Sequence, residues 1–225
     1  KADSKRKLDA QLRLADSYFM IANYASASKY YSAYCSEKSS EDKDYALFQW
    51  SLCEGLEKNV SKKESLLNKL IADYPASKYT ISGQYELAST YLKQDKYNEA
   101  LKVYQRFVAN YPNSTHAKRA YLQMGVIYRN QDKYNESIEL LKKVVEEYPA
   151  TPDANEAISF AKLVYSKTNN MDEYITWVES IDFADELFQI ADDLPQKYQF
   201  SLGEQLRRAA LSIPTNIAEG SGRDS

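Results

Sequence analysis

Chemistry in this 225-residue chain would have to run through very few side chains. His116 is the single histidine, and no cysteine or carboxylate stands beside it as a nucleophilic triad would require. It falls just after a candidate helix cap, where a surface residue is expected. Cys35 and Cys53 are isolated, without a C-x-x-C pair or a neighbouring histidine, so both read as small buried hydrophobes on helices. Zinc asks for about four ligands, which one histidine and two scattered cysteines do not supply. Glu146-Glu147 and Asp192-Asp193 read as solvated helix faces. No strand pattern precedes a glycine-rich phosphate loop, and Gly220-Ser221-Gly222 reads as a terminal linker. The sequons at Asn59, Asn113 and Asn135 fall at helix joints, where Asn and Ser are expected anyway. No catalytic residue, no metal and no cofactor is therefore expected. Binding is the class left.

Composition agrees. Hydrophobic residues make up 44% and charged residues 27%, with a net charge of −3, which fits a soluble globular protein and gives no reason to expect nucleic acid along the whole surface. Glycine and proline number six each against 20 tyrosines; few breakers and many amphipathic rings suit helices packed on helices. No run approaches the roughly 20 apolar residues that span a bilayer, so membrane insertion is not expected. The chain opens on Lys1-Ala2-Asp3 without a methionine, as expected of a segment of something longer.

The elements that would position a binding surface announce themselves by repetition. Tyr-Pro occurs at 74–75, 111–112 and 148–149, a step of 37 taken twice. QDKYNEA at 94–100 returns as QDKYNES at 131–137. A fixed period of this size marks a repeat array. Small residues recur at Ala15, Ser51, Ala88 and Gly125, where two helices must approach closely, and aromatic ones at Tyr18, Tyr91, Tyr128 and Tyr165. A second set follows at Tyr24, Tyr97 and Tyr134, at Ala27, Ala100 and Ser137, and at Tyr31 and Tyr104. Ser40, Ser77, Ser114 and Thr151 are candidate N-caps for each first helix, and Asp95 and Asp132 for second helices. Pro75, Pro112 and Pro149 must end the second helices.

This set of small and aromatic positions resembles the tetratricopeptide repeat, with a few residues added to that family's usual 34. The resemblance implies an all-α fold: a right-handed solenoid of about five helix pairs over residues 1–181. It also implies a peptide or protein groove lined by first-helix positions. Here these map to Leu12, Asp16, Phe19 and Met20, then Tyr45, Phe48, Leu52 and Leu56. The third repeat gives Tyr85, Ser89, Leu92 and Lys93, and the fourth Arg119, Leu122, Val126, Arg129 and Asn130. An extended or helical peptide, apolar along much of its length and acidic toward one end, would suit that surface. The alternative is that several of these rings simply pack between repeats. The asparagine–lysine clamp some members use for a C-terminal carboxylate is absent, since Tyr85 and Ser89 stand there.

Beyond Ala154 the pattern changes. Lys162 replaces the small residue, no Tyr-Pro follows, and an apolar spacing of three or four runs from Tyr174 through Leu194 to Pro195. That predicts one long shared helix. Ser201 with Glu204 reads as a capping box, and Pro214 should kink the last helix. The run Gln205-Leu206-Arg207-Arg208-Ala209-Ala210, with Ser212-Ile213-Pro214 and Asn216-Ile217-Ala218-Glu219-Gly220, resembles the first half of a four-helix-bundle family encoded in ribosomal-RNA intervening sequences. Two unrelated families joined through one helix suggest an engineered chimera, with the seam near Ile181 to Leu187 and a partial bundle over 182–225. Half a bundle leaves an apolar stripe uncovered: Leu187, Phe188, Ala191, Leu194, Leu202, Leu206, Ala209, Ala210, Ile213 and Ile217. Either the stripe caps the last repeat, or it pairs with a second copy. The expected partner is another copy, as a dimer. Arg207-Arg208 raises an RNA-binding reading through the same family, but Asp192, Asp193, Glu204 and Glu219 offset it. The sequence identifies no compartment.

Overall fold

The computed structural model describes residues 2–221, and they are helical without a strand. The elements follow from local signals. Helices α4 (Val60–Asp73), α6 (Tyr97–Asn110) and α8 (Tyr134–Glu147) stop one residue before the tyrosine of each Tyr-Pro pair. Proline disfavours helical backbone at the residue ahead of it. Tyr74, Tyr111 and Tyr148 accordingly leave the helical region, at φ −132, −134 and −133°.

The hairpin turns share a feature the sequence conceals. Ala22, Lys58, Asp95, Asp132 and Asn169 all have φ between 56 and 63°, the left-handed region. In each turn the next amide reaches back five residues: Asn23 to Tyr18, Asn59 to Glu54, Lys96 to Tyr91, Lys133 to Tyr128 and Asn170 to Tyr165, at 2.8–3.0 Å. That is the Schellman closure of a helix C-terminus. Asp and Asn tolerate left-handed backbone better than most residues, which explains three of the five; Ala22 and Lys58 are held there by the closure itself.

These turns correct two expectations. Asp95 and Asp132 do not cap the second helices; Lys96 and Lys133 hold the cap positions without a side-chain bond. The aspartates instead accept the hydroxyls of Tyr97 at 3.0 Å and Tyr134 at 2.6 Å. Among the first-helix caps, Ser77 accepts the Tyr79 amide and Thr151 the Ala154 amide, while the His116 amide donates to Ser114. Ser40 does not cap: its hydroxyl donates to the Tyr34 carbonyl at 2.7 Å and ties down the preceding helix, and α3 (Lys43–Leu56) starts after Asp42.

The chain divides into two compact units at Ala120/Tyr121. The first stacks three hairpins: α1 (Ala2–Met20) with α2 (Tyr24–Ser36), α3 with α4, and α5 (Lys78–Leu92) with α6. The recurrent small positions Ala15, Ser51 and Ala88 have no exposed surface, as close helix approach demands. In the second hairpin Lys63 stands where Ala27 and Ala100 stand in its neighbours. A Cβ on Gly55 would come within 2.8 Å of the Lys63 side chain. Glycine there makes room for Lys63 to reach Glu86 on α5 at 2.7 Å.

The second unit holds the rest of α7 (Ala117–Asn130), then α8, α9 (Pro152–Thr168) and α10 (Met171–Asp193). It ends with the turn α11 (Gln196–Tyr198), a π-helical turn over 199–203, and α12 (Glu204–Ser221). Gly125 lets Leu141 approach to 3.0 Å from where a Cβ would sit, and accepts the Ser137 hydroxyl on its carbonyl. The core gathers Leu122, Leu141, Val144, Ala157, Val164, Tyr165 and Trp177. Lys162 is exposed and Ala161 takes the buried place beside it. Helix α10 runs 23 residues without a break, as its periodicity implies, and α12 continues through Pro214.

The Ser201–Glu204 capping box does not form. The Ser201 hydroxyl reaches back to the Tyr198 carbonyl, and residues 199–203 wind as a wider turn. Gln199 uses that turn to donate to the Asp192 and Leu194 carbonyls at 2.9 and 2.8 Å, closing the end of α10.

Candidate functional site

Two surfaces are built by these elements. One is the set of first-helix positions. In the first unit Asp16, Phe19, Tyr45 and Phe48 are engaged with neighbouring side chains. The Asp16 carboxylate accepts the hydroxyls of Tyr31 and Tyr45, the latter at 2.8 Å. Tyr45 and Phe48 both lie against the Tyr79 ring, with centroids 5.3 and 6.0 Å apart. Phe19 meets Tyr24 edge-on. Burial, and then the hydrogen bond to Asp16, push the Tyr45 hydroxyl up to about 12. Burial likewise raises the thiols of Cys35 to about 11 and Cys53 to about 12, so both are protonated at neutral pH, as structural cysteines are.

The remaining positions divide. Leu12, Leu52, Ser89, Leu92, Arg119 and Val126 are half-buried, and Lys93 and Asn130 exposed. Met20 and Leu56, at the ends of their helices, are 83% and 52% exposed. Arg129 lies over the Phe160 ring at 4.9 Å and donates to Asn130. Leu122 has no exposed surface and sits in the core of the second unit. It has nothing to offer a groove, because its position on α7 turns it toward α8 and α9 rather than to solvent.

His116 also differs from expectation. It is half-buried, with its ring stacked on Tyr85 at 4.8 Å and 14° between planes. The spacing that would pair them crosses two helices and a turn, so no local pattern signals it.

The second surface is the terminal hairpin of α10 and α12. Ala184, Ala191, Gly203, Ala210 and Pro214 are buried where the helices meet. A Cβ on Gly203 would lie 3.6 Å from the Ala191 carbonyl, so the two backbones are nearly in contact. Arg207 is drawn into the same joint, donating to Asp192 at 2.6 Å and to Gln199 at 3.2 Å. Arg208 is exposed.

The ten stripe positions therefore separate into two sets. Ala191 and Ala210 are consumed within the hairpin. Leu187, Phe188, Leu194, Leu206, Ile213 and Ile217 are half-buried, and Leu202 and Ala209 exposed. Sequence periodicity missed several large side chains beside them: Phe183 at 50%, Ile190 at 53%, Leu211 at 55% and Phe200 at 89% exposure. Phe183, Leu187, Ile190 and Leu194 share one helical face, as do Leu202, Leu206, Ala209 and Ile213.

Among the described residues no cluster of His, Cys, Asp or Glu could hold a metal ion. Among the described residues no helix is long and apolar enough to cross a membrane.

Comparison with known proteins agrees with this geometry. The chain is similar to a MamA double mutant of strain RS-1 at a TM-score of 0.64 and 14% identity, over 90% of this chain and 96% of that one. A MamA from Desulfovibrio magneticus RS-1 matches at a TM-score of 0.62 and 14% identity, over 97% and 98%. A putative kinesin light chain of Podosopora anserina with nearly identical TPR-like repeats matches at 0.58 and 16%, over 75% and 90%. At such identities the likeness is one of fold, here tetratricopeptide-type helical hairpins. No curated protein gave a match. Residues 172–225 match the family described as 23S rRNA-intervening sequence protein, and that match starts at the beginning of α10. Residues 40–159, more than half of the chain, match the family described as outer membrane lipoprotein, YfiO. The chain belongs to the YfiO family, and its α-hairpin repeats carry the membership.

Proposed function

We propose that the protein is a non-enzymatic interaction scaffold whose terminal hairpin pairs with that of a second copy. The observation that carries this reading is the uncovered apolar face of α10 and of the turn leading into α12, with Phe183, Ile190 and Leu202 each 45–53% exposed. Scattered exposed leucines are ordinary. Two adjacent helical faces of them, beside a joint already closed by Ala191 and Ala210, make half of a four-helix core. On this reading the repeats are presented outward by the dimer. The family change at the start of α10 suits an engineered fusion through a shared helix, with a repeat array over 1–181 and a partial bundle over 182–225.

Light scattering at high micromolar concentration tests it. The expected mass is twice the 25.8 kDa of one chain. Ile190→Glu with Leu202→Glu should return the single-chain mass while the helical circular-dichroism signal stays. A single-chain mass for the unaltered protein overturns the dimer.

A second reading has its own observation. Helix α12 packs on α10 and also touches α8, as a tail that only caps its own repeats would. The chain would then act as a peptide-binding adaptor through the first-helix faces. Removing residues 196–225 would leave peptide affinity and mass per particle unchanged on that reading, and would abolish self-association on the first. RNA binding draws less support, since Arg207 is already held by Asp192 and Gln199.

A further inference from the structure

Asp16 carries a charge that no cation of the fold answers among the described residues. Its Oδ1 accepts both the Tyr31 and the Tyr45 hydroxyls, the second at 2.8 Å, and two donors fill that oxygen. Its Oδ2 accepts neither a hydrogen bond nor an ion pair. The residue is half-buried, yet Oδ2 is not one of the buried polar atoms left without a partner, so it stays open to solvent. The cations along α1 are spent elsewhere: Arg13 pairs with Asp9 and Lys5 with Glu41. Lys78 lies over the Tyr79 ring. Asp16 is thus a carboxylate fixed by two tyrosines, with one oxygen free. In such partly desolvated surroundings an incoming cation is attracted more strongly than in open water.

The neighbours say which cation fits. Leu12 and Met20 stand one turn to either side of Asp16 on the same face of α1, and Leu52 and Leu56 continue the Tyr45 face of α3. Leu12 and Leu52 are half-buried, whereas Met20 and Leu56 are exposed. A single free oxygen set among apolar side chains suits a guanidinium. One N–H bonds the oxygen while the weakly hydrated plane lies on apolar surface; a lysine ammonium holds its water more tightly. A calcium or magnesium ion would need about six ligands. From Asp16 to Met20 is four residues of helix, about 6 Å, which two residues of extended peptide span at about 3.3 Å each. Side chains two apart in an extended chain point to the same side.

We propose that Asp16 receives an arginine of a partner peptide, held extended so that an apolar side chain two residues away rests on Met20. This rests on the reading of the first-helix faces as a peptide surface, and names what that surface selects at its first two hairpins. The partner is a segment in which an arginine and an apolar residue are spaced by two.

The test is a titration of the full chain, followed by amide chemical shifts, with acetyl-Leu-Ser-Arg-Ser-Leu-amide, which presents the spacing in both chain directions. The same peptide with citrulline for arginine keeps the shape and removes the charge. The arginine peptide should bind with a dissociation constant in the millimolar range or below, moving amides of α1 and α3 around Asp16. Citrulline should weaken binding about tenfold. Asp16→Asn keeps an oxygen for the tyrosine hydroxyls and should bind the arginine peptide only as weakly as the unaltered chain binds the citrulline one. If that variant does not fold, the citrulline comparison on the unaltered chain decides. Equal affinity for both peptides, with first-helix amides moving, overturns the arginine site and leaves the peptide surface standing. No first-helix shift with either peptide at about 5 mM, within the range such short ligands reach, overturns both.

Discussion

The hairpin α5–α6 and the hairpin α10–α12 are both pairs of amphipathic helices, yet they end in different states. In the first, the apolar positions are covered on each side. Phe107, Tyr104 and Ala100 have no exposed surface, and α4 lies against α5 with Leu70 close above Gly83. In the second, one face of each helix closes the hairpin and the adjacent face stays open. A repeat finds its neighbour in the next copy of itself along the chain. Among the described residues no further hairpin lies beyond the terminal one along the chain.

The largest test of that contrast is a pair of truncations. Leu70→Ala removes a fully buried side chain and should cost about 2–5 kcal/mol in urea unfolding. Ile190→Ser, on the open face, should change the stability of the isolated chain by less than about 0.5 kcal/mol. Equal costs would erase the distinction between a saturated and an unsaturated hairpin.

A smaller effect probes the irregular hairpin α3–α4. Its Lys63–Glu86 pair is largely buried, with side-chain exposures of 11% and 30%. Lys63→Ala restores the small residue its neighbours use but strands Glu86 and empties the space Gly55 leaves. It should cost about 2 kcal/mol, below the range for fully buried pairs because Glu86 keeps contact with water. Lys63→Met with Glu86→Leu should recover most of that loss in thermal melts. A gain in stability from Lys63→Ala alone would refute the compensation by Gly55.

Capping comes next. Thr151→Ala removes the bond from the Ala154 amide and should cost about 1 kcal/mol by denaturant titration. Asp132→Ala, which caps nothing, should lose its exposed bond to Tyr134 and an aspartate's easier left-handed backbone, at a smaller total cost. The reverse order would reinstate Asp132 as the cap.

The mildest effect is one of pH. The folded state holds the Tyr45 proton up to about 12, against an ordinary tyrosine near 10.0. Above pH 10 the unfolded chain therefore binds fewer protons than the folded one, and stability falls as pH rises toward 12. Below pH 10 the contribution is fully present. Tyr45→Phe should flatten part of the fall in melting temperature between pH 10 and 12. An unchanged slope would mean that burial and Asp16 do not hold the Tyr45 proton in the folded state.

Much of this was legible in residues alone. The period of Tyr-Pro, the small positions from Ala15 to Gly125 and the unbroken run from Tyr174 to Leu194 prescribe the helices, their ends and their close contacts. Those are local or periodic properties, set by backbone sterics at proline and by which face of a helix is apolar. The caps were half legible. Ser77 and Thr151 sit where a cap is needed, whereas Asp95 and Asp132 resemble caps but serve left-handed turns, because the Schellman closure fixes the backbone before the side chain can choose.

The surfaces were less legible. Leu122 and Val126 stand a single turn apart on α7, and the tetratricopeptide resemblance gives both to the groove. Burial gives Leu122 to the core. Phe183, Ile190 and Leu211 look like ordinary helix residues until the partner helix is in place and leaves them uncovered.

By itself, the sequence determined the repeat, the places where helices must end, and the families along the chain, since each depends on residues within a turn or a period of one another. Tertiary structure alone decided that Lys63 passes Gly55 to reach Glu86, that His116 stacks on Tyr85, and that the Gln84 side-chain oxygen is buried without a hydrogen-bond partner. Each is a meeting of side chains from separate helices, and only the packing of those helices fixes which atoms share a space.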